Sequence, residues 1–133
     1  MRNRPSLTAT DVQKMMAACK AEAAKSKLCV SIAIVDDGGY LLHLDRADGA
    51  TLESPEIATR KARTAAVTRQ STQYWEERVR ESSGFLRVSE SFLPIRGGMP
   101  VIYQEECVGA IGVSGVTSPE CEQIAKAGVA ALA

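Results

Sequence analysis

Four polar side chains carry most of the chemistry this sequence could perform: Arg46, Asp48, Lys61 and Arg96. Arg46 and Asp48 stand where a strand gives way to a turn, Lys61 on a slim helix face, and Arg96 directly before the pair Gly97-Gly98. If they converge, they suit a ligand bearing a carboxylate, which arginine grips through two parallel N–H donors. The free N–H groups of Gly97 and Gly98 beside Arg96 would add an anion-binding nest, with Ser114 at its rim. Acid–base work would fall to Lys61 or Asp48, provided the fold tunes its pKa. One histidine is present, His43, which leaves no basis for a multi-histidine metal cluster or a Ser/His/Asp relay. No metal site is expected. A lone strand histidine commonly packs or faces solvent, yet neutral imidazole is also a good axial ligand for haem iron.

Other functions are excluded by composition and motif. Sixteen basic residues balance sixteen acidic ones, so no global field draws in nucleic acid or an anionic membrane. Arg60, Lys61, Arg63 and Arg69 form only a local cluster, most simply a solvated helix face. No apolar run approaches the ~20 residues needed to span a bilayer, and the polar start lacks a signal-peptide core, so a cytoplasmic protein is expected. Cys19, Cys29, Cys107 and Cys121 are too widely spaced for a metal knuckle and read as free thiols, mostly buried. Gly109-Ala-Ile-Gly-Val-Ser-Gly115 is not the dinucleotide fingerprint, and neither glycine pair fits a P-loop.

The elements that must position these residues are legible from periodicity. With 133 residues, one domain over 1–133 with one core is expected. Thr8 to Asp11 supplies capping chemistry for an alanine-rich helix to about Lys25, with Leu7, Val12, Met15, Met16, Cys19 and Ala23 on one stripe. Cys29–Asp36 and Tyr40–Asp45, joined by Asp-Asp-Gly-Gly, read as a hairpin. Val30, Ile32 and Ile34 share one face, and the smaller Ser31, Ala33 and Val35 the other. On the second strand Tyr40, Leu42 and Leu44 oppose Leu41, His43 and Asp45. Ser54 caps a second helix whose inner stripe, Ile57, Ala58, Lys61, Ala62, Ala65 and Ala66, is slim. Lys61 there either snorkels to water or faces a ligand. Ser71 or Thr72 caps a shorter helix to about Arg80, and an edge strand is expected near Ser91–Leu93. A second hairpin runs from Val101 through a turn at Glu105-Glu106 into the Cys107 strand, and a helix from Ser118 ends the chain.

On that last strand Val108, Ala110, Gly112 and Ser114 would oppose Cys107, Gly109, Ile111 and Val113. Its nearly bare face admits close approach by a helix or a ligand. Because the Ile57–Ala66 stripe is equally slim, helix packing is the favoured use, with any site at the rim where Ser114-Gly115 meets Gly97-Gly98. The matching small faces make this strand and Ser31–Val35 near neighbours.

Several of these segments together resemble the GlcG/HbpS-like, or haem-degrading domain, family, which includes the C-terminal domain of PduO-type corrinoid adenosyltransferases. They are Leu7-Thr8 with its helix, Ser31-Ile-Ala-Ile-Val-Asp-Asp-Gly-Gly39, Leu44-Asp-Arg-Ala-Asp-Gly49, Ile57-Ala-Thr-Arg-Lys-Ala-Arg-Thr-Ala65, Gly97-Gly-Met-Pro100 and Val108–Gly115. The resemblance implies a profilin-like α/β (α+β) fold, an antiparallel sheet of about five strands flanked by helices. It also implies homo-oligomers from dimer to octamer, and haem or a corrinoid as ligand. The leading reading is thus a homo-oligomeric small-ligand-binding protein. The alternatives are a catabolic enzyme, such as an isomerase, tautomerase or hydrolase of a carboxylated metabolite, and a structural accessory subunit.

Overall fold

A computed structural model describes residues 1–87 and 89–132. The chain forms helix α1 (Ala9–Lys25), strands β1 (Ser31–Asp36) and β2 (Leu41–Arg46), helices α2 (Ser54–Thr68) and α3 (Thr72–Glu81), a 3-10 turn (Ser83–Arg87), strands β3 (Gly98–Tyr103) and β4 (Glu106–Ser114), and helix α4 (Ser118–Ala130). The sheet is antiparallel, in the order β2-β1-β4-β3. It therefore has four strands among the described residues, one fewer than expected. The segment proposed as an edge strand near Ser91–Leu93 is used differently: the Leu93 N–H donates to Thr64 Oγ1 at 2.9 Å on α2, and Pro94 follows without an N–H of its own.

The two sheet faces are packed by different rules. Toward α1 and α4 lies the bulky core, where Met15, Ile32, Ile34, Ile111, Val113 and Ile124 are buried together. Toward α2 the layer is small: Ala33, Val35, Ala58, Ala62, Ala65, Ala66 and Ala110. Ser31 pairs with Ser114, Ala33 with Gly112 and Val35 with Ala110, so the two slim strand faces do lie side by side. At Gly112 an added Cβ would meet the Ala58 carbonyl oxygen at 2.0 Å and the Ala62 nitrogen at 2.6 Å. The bare strand face is thus the bed of a closely packed helix.

Helix starts follow the capping signals with one exception. Thr8 and Asp11 form a capping box on α1, Thr117 and Glu120 do so on α4, and Ser71 caps α3. Ser54, expected as the cap of α2, is its first helical residue instead, after Glu53. Its hydroxyl donates to the Thr51 carbonyl oxygen (2.6 Å) and lies 2.8 Å from the Ser31 hydroxyl, which ties the helix start to the sheet. The second hairpin turns at Gln104-Glu105, one residue earlier than expected. Both adopt positive φ (49° and 67°), as a two-residue loop that matches strand twist requires.

Two bulges overturn the expected alternation. In the β1–β2 pairing, Ile34 opposes His43 and Val35 opposes Leu41, so Leu42 is the extra residue and joins His43 on the α1 side. In the β3–β4 pairing, Val101 opposes Gly109 and Ile102 opposes Cys107, so Val108 is extra and enters the bulky core while Cys107 turns toward α2.

Candidate functional site

Two places combine chemistry with unusual surroundings. The first is interior. Lys61 comes from the slim stripe of α2 and is only 3% exposed. It does not snorkel to water: Nζ donates to the Val113 carbonyl oxygen at 2.9 Å, at the end of β4. Gly97, with φ +133°, lies directly against it, since a Cβ there would sit 2.9 Å from Nζ and 3.1 Å from the Cys121 Cβ. The next glycine is pinned from α3, its N–H donating to Thr72 Oγ1 at 2.8 Å. Burial pulls the Lys61 ammonium below the ordinary lysine value, and Cys121 and Glu76 act weakly in the other direction.

Arg96 does not join Lys61 on a ligand. Its Nη2 donates to Glu122 Oε1 at 3.1 Å, and Lys126 reaches the same oxygen at 3.1 Å. Glu122 is 1% exposed, and its Oε2, like Arg96 Nε, has no hydrogen-bond partner among the described residues. The two unpaired atoms belong to one Arg–Glu pair bonded through its other two atoms, a single-point form of the usual fork. The Glu122 carboxylate raises the Arg96 pKa, so this guanidinium stays charged and engaged.

Arg46 and Asp48 lie elsewhere. Both are exposed at the end of β2. β2 and β3 are opposite edges of the sheet, so Arg46 and the segment entering β3 are separated by three strand spacings, about 14 Å of main chain. Ser114 stands between, paired with Ser31, which is paired in turn with Arg46. The expected set therefore divides, with Lys61, Arg96, Gly97 and Gly98 at one edge and Arg46 and Asp48 at the other.

The second place is a surface cleft of about 330 Å³ between the start of α1 and β2, lined by Leu7, Thr8, Val12, Gln13, Leu42 and His43. The capping box fixes where α1 begins, and the bulge at Leu42 turns a second apolar residue beside His43. Sequence reasoning placed Leu7 and Val12 on the buried stripe of α1 and so missed them as cleft walls. It also missed Glu122 and Glu76; a charged residue next to a buried stripe position was the available signal for Glu122. Among the described residues no group of three or more His, Cys, Asp or Glu is placed to hold a metal ion, and no helix is long and apolar enough to cross a membrane.

With this geometry in view, comparison with known proteins is decisive about kinship. The family model described as "Haem degrading protein HbpS-like" matches residues 7–130. The chain belongs to the HbpS-like family. It is 38% identical to Protein GlcG of Escherichia coli (strain K12) over 114 residues, which are 86% of this chain and 85% of GlcG. Among solved structures, a double mutant of HbpS from Streptomyces reticuli superposes with a TM-score of 0.92 at 33% identity, covering 100% of this chain and 91% of that one. The Klebsiella pneumoniae protein ORFY superposes with a TM-score of 0.94 at 28% identity, covering 99% and 94%.

Proposed function

We propose that this member of the HbpS-like family is a self-associating haem-binding protein that seats one edge of the tetrapyrrole in the α1–β2 cleft. The observation that carries the reading is that the chain's only histidine lines an aliphatic cleft. The residues fit the group. Leu7, Val12 and Leu42 offer apolar walls to a porphyrin face, the His43 imidazole is an iron ligand, and Thr8 and Gln13 offer polar atoms to propionates. Bound haem would supply iron-centred redox chemistry; the protein's part is to bind, orient and shield it. The family description and the likeness to HbpS favour haem over a corrinoid.

Self-association is supported by what surrounds the cleft. At about 330 Å³ it stands at the small end of the ~300–1,000 Å³ typical of ligand sites, so a tetrapyrrole would need further cover. The strand beside it, β2, is an edge of the sheet among the described residues; it carries Leu41, Leu42 and Leu44 at the surface and follows Tyr40 (74% exposed). Apolar residues on an unpaired edge strand suit pairing with a second copy.

Titration with hemin, followed in the Soret region, tests the proposal. A saturable Soret shift in the wild type, lost in His43→Ala, is expected, with sedimentation showing a dimer or larger. No saturable shift, or one that His43→Ala leaves unchanged, contradicts it. Hydroxocobalamin in a parallel titration distinguishes a corrinoid site.

A further inference from the structure

The start of α1 borders open space toward both edges of the sheet. Toward β2 lies the cleft that holds His43; toward β3 lies a second cavity of about 340 Å³, lined by Leu7, Val108, Leu132, Tyr103, Asp11 and Lys14. Leu7 is a wall of both. It settles onto the sheet at Gly109, where a Cβ would meet its Cδ1 at 2.7 Å. The bulge supplies the second cavity's most deeply buried wall, because Val108, the extra residue of β4, turns to the α1 side and is 3% exposed. Leu7 and Leu132 pack against the same core yet stay only half-buried, and Tyr103 at the end of β3 adds an exposed ring.

The polar part of the lining carries one charge of each sign. Asp11 and Lys14 stand three residues apart on α1, which makes them neighbours on one side of the helix. The Thr8 N–H and hydroxyl both donate to Asp11 Oδ2, at 2.8 Å each, so the capping box leaves Oδ1 out. These bonds hold the carboxyl below its ordinary range, and Lys14 adds a weaker Coulombic pull. Among the described residues Asp11 and Lys14 do not form an ion pair with each other.

We propose that this cavity binds a free apolar α-amino acid, with its carboxylate on the Lys14 ammonium, its ammonium on Asp11 Oδ1, and its side chain against Leu7, Val108 and Leu132. Two opposite charges that do not bridge directly are bridged by a zwitterion, whose own charges sit side by side. A simple carboxylate would meet Asp11 as a repelling neighbour, and a simple amine would meet Lys14 in the same way. The aliphatic walls ask for a side chain of leucine or phenylalanine character. At the ~30 Å³ that a water takes in the liquid, the cavity has room for roughly ten non-hydrogen atoms, so an amino acid needs no further cover. The proposal is independent of haem binding, since His43 takes no part in it.

The test titrates the haem-free protein with L-leucine and follows backbone amide shifts by NMR. Saturable shifts centred on Leu7, Lys14, Tyr103 and Val108 are expected. Three fragments of the ligand are titrated in parallel: 4-methylpentanoate lacks the amino group, 3-methylbutylamine the carboxylate, and glycine the side chain. The two fragments that lack a charge are expected to bind at least about threefold more weakly than L-leucine, as the loss of one exposed ion pair predicts, and glycine more weakly still. Lys14→Met, at an exposed position, should weaken L-leucine by a similar factor while the amide spectrum away from the cavity stays that of the wild type. No saturable shift with L-leucine, or shifts centred elsewhere, overturns the proposal. So does binding of 4-methylpentanoate or 3-methylbutylamine as tight as that of L-leucine, or a folded Lys14→Met protein that binds L-leucine like the wild type.

Discussion

Beside His43 the walls are aliphatic, open to solvent and held by an edge strand; beneath Gly97 the groups are polar, buried and held by main chain. The difference comes from how the two sheet faces are filled. On the α2 side, glycine and alanine let the helix approach so closely that backbone meets backbone, which leaves no ligand-sized room and strands one amine in the contact layer. On the α1 side, bulky residues hold the helix off the edge of the sheet, and a cleft opens where α1 begins. Slim residues therefore mark tight packing in this protein, and bulky ones frame the open space.

The contrast is broken most severely at Gly112. Gly112→Val would force a branched side chain into the α2 backbone and is expected to cost more than about 4 kcal/mol, leaving no cooperative unfolding transition. A folded, cooperatively melting Gly112→Val protein would mean that the helix does not pack as closely as described.

A smaller and more selective effect is expected at Lys61. Its folded-state pKa lies below that of the unfolded chain, so between the two values the unfolded chain binds the extra proton and stability rises with pH. The stabilisation is complete above the ordinary lysine value and is lost as pH falls through the interval. Lys61→Met, of similar length and uncharged, should flatten that part of the pH–stability curve in urea titrations; an unchanged slope would show that the ammonium is not desolvated.

The smallest effect on stability belongs to the cleft. His43 is exposed, and His43→Ala should shift unfolding free energy by no more than about 0.5 kcal/mol while removing the proposed ligand for haem iron. A large destabilisation would instead make His43 a packing residue.

Much of this was legible in the chain. The 3.6-residue stripes of α1 and α4, the Asp-Asp-Gly-Gly hairpin and the matched small faces of β1 and β4 follow from side-chain periodicity, which is local. The bulges at Leu42 and Val108 were not, because an extra residue in one strand is defined only against its partner. They exchange the faces of Leu42, Val108 and Cys107 and so decide which residues line the cleft. Likewise, sequence could pick out Arg46, Asp48, Lys61 and Arg96 as the charged residues at strand ends and on slim faces. It could not show that Arg96 is engaged by Glu122, or that two strands lie between Arg46 and the Lys61 end. Those facts depend on strand order and on α4, which lies far along the chain.

The proposed seat for haem is the α1–β2 cleft and not the glycine-lined end of the sheet. Paramagnetic broadening of backbone amide signals by ferric haem tests it directly. Broadening centred on Leu42, His43 and the first turns of α1, with Gly97, Gly98 and Ser114 retaining their signals, is the predicted result. Broadening centred on Gly97, Gly98 and Ser114, with His43 unaffected, would contradict it.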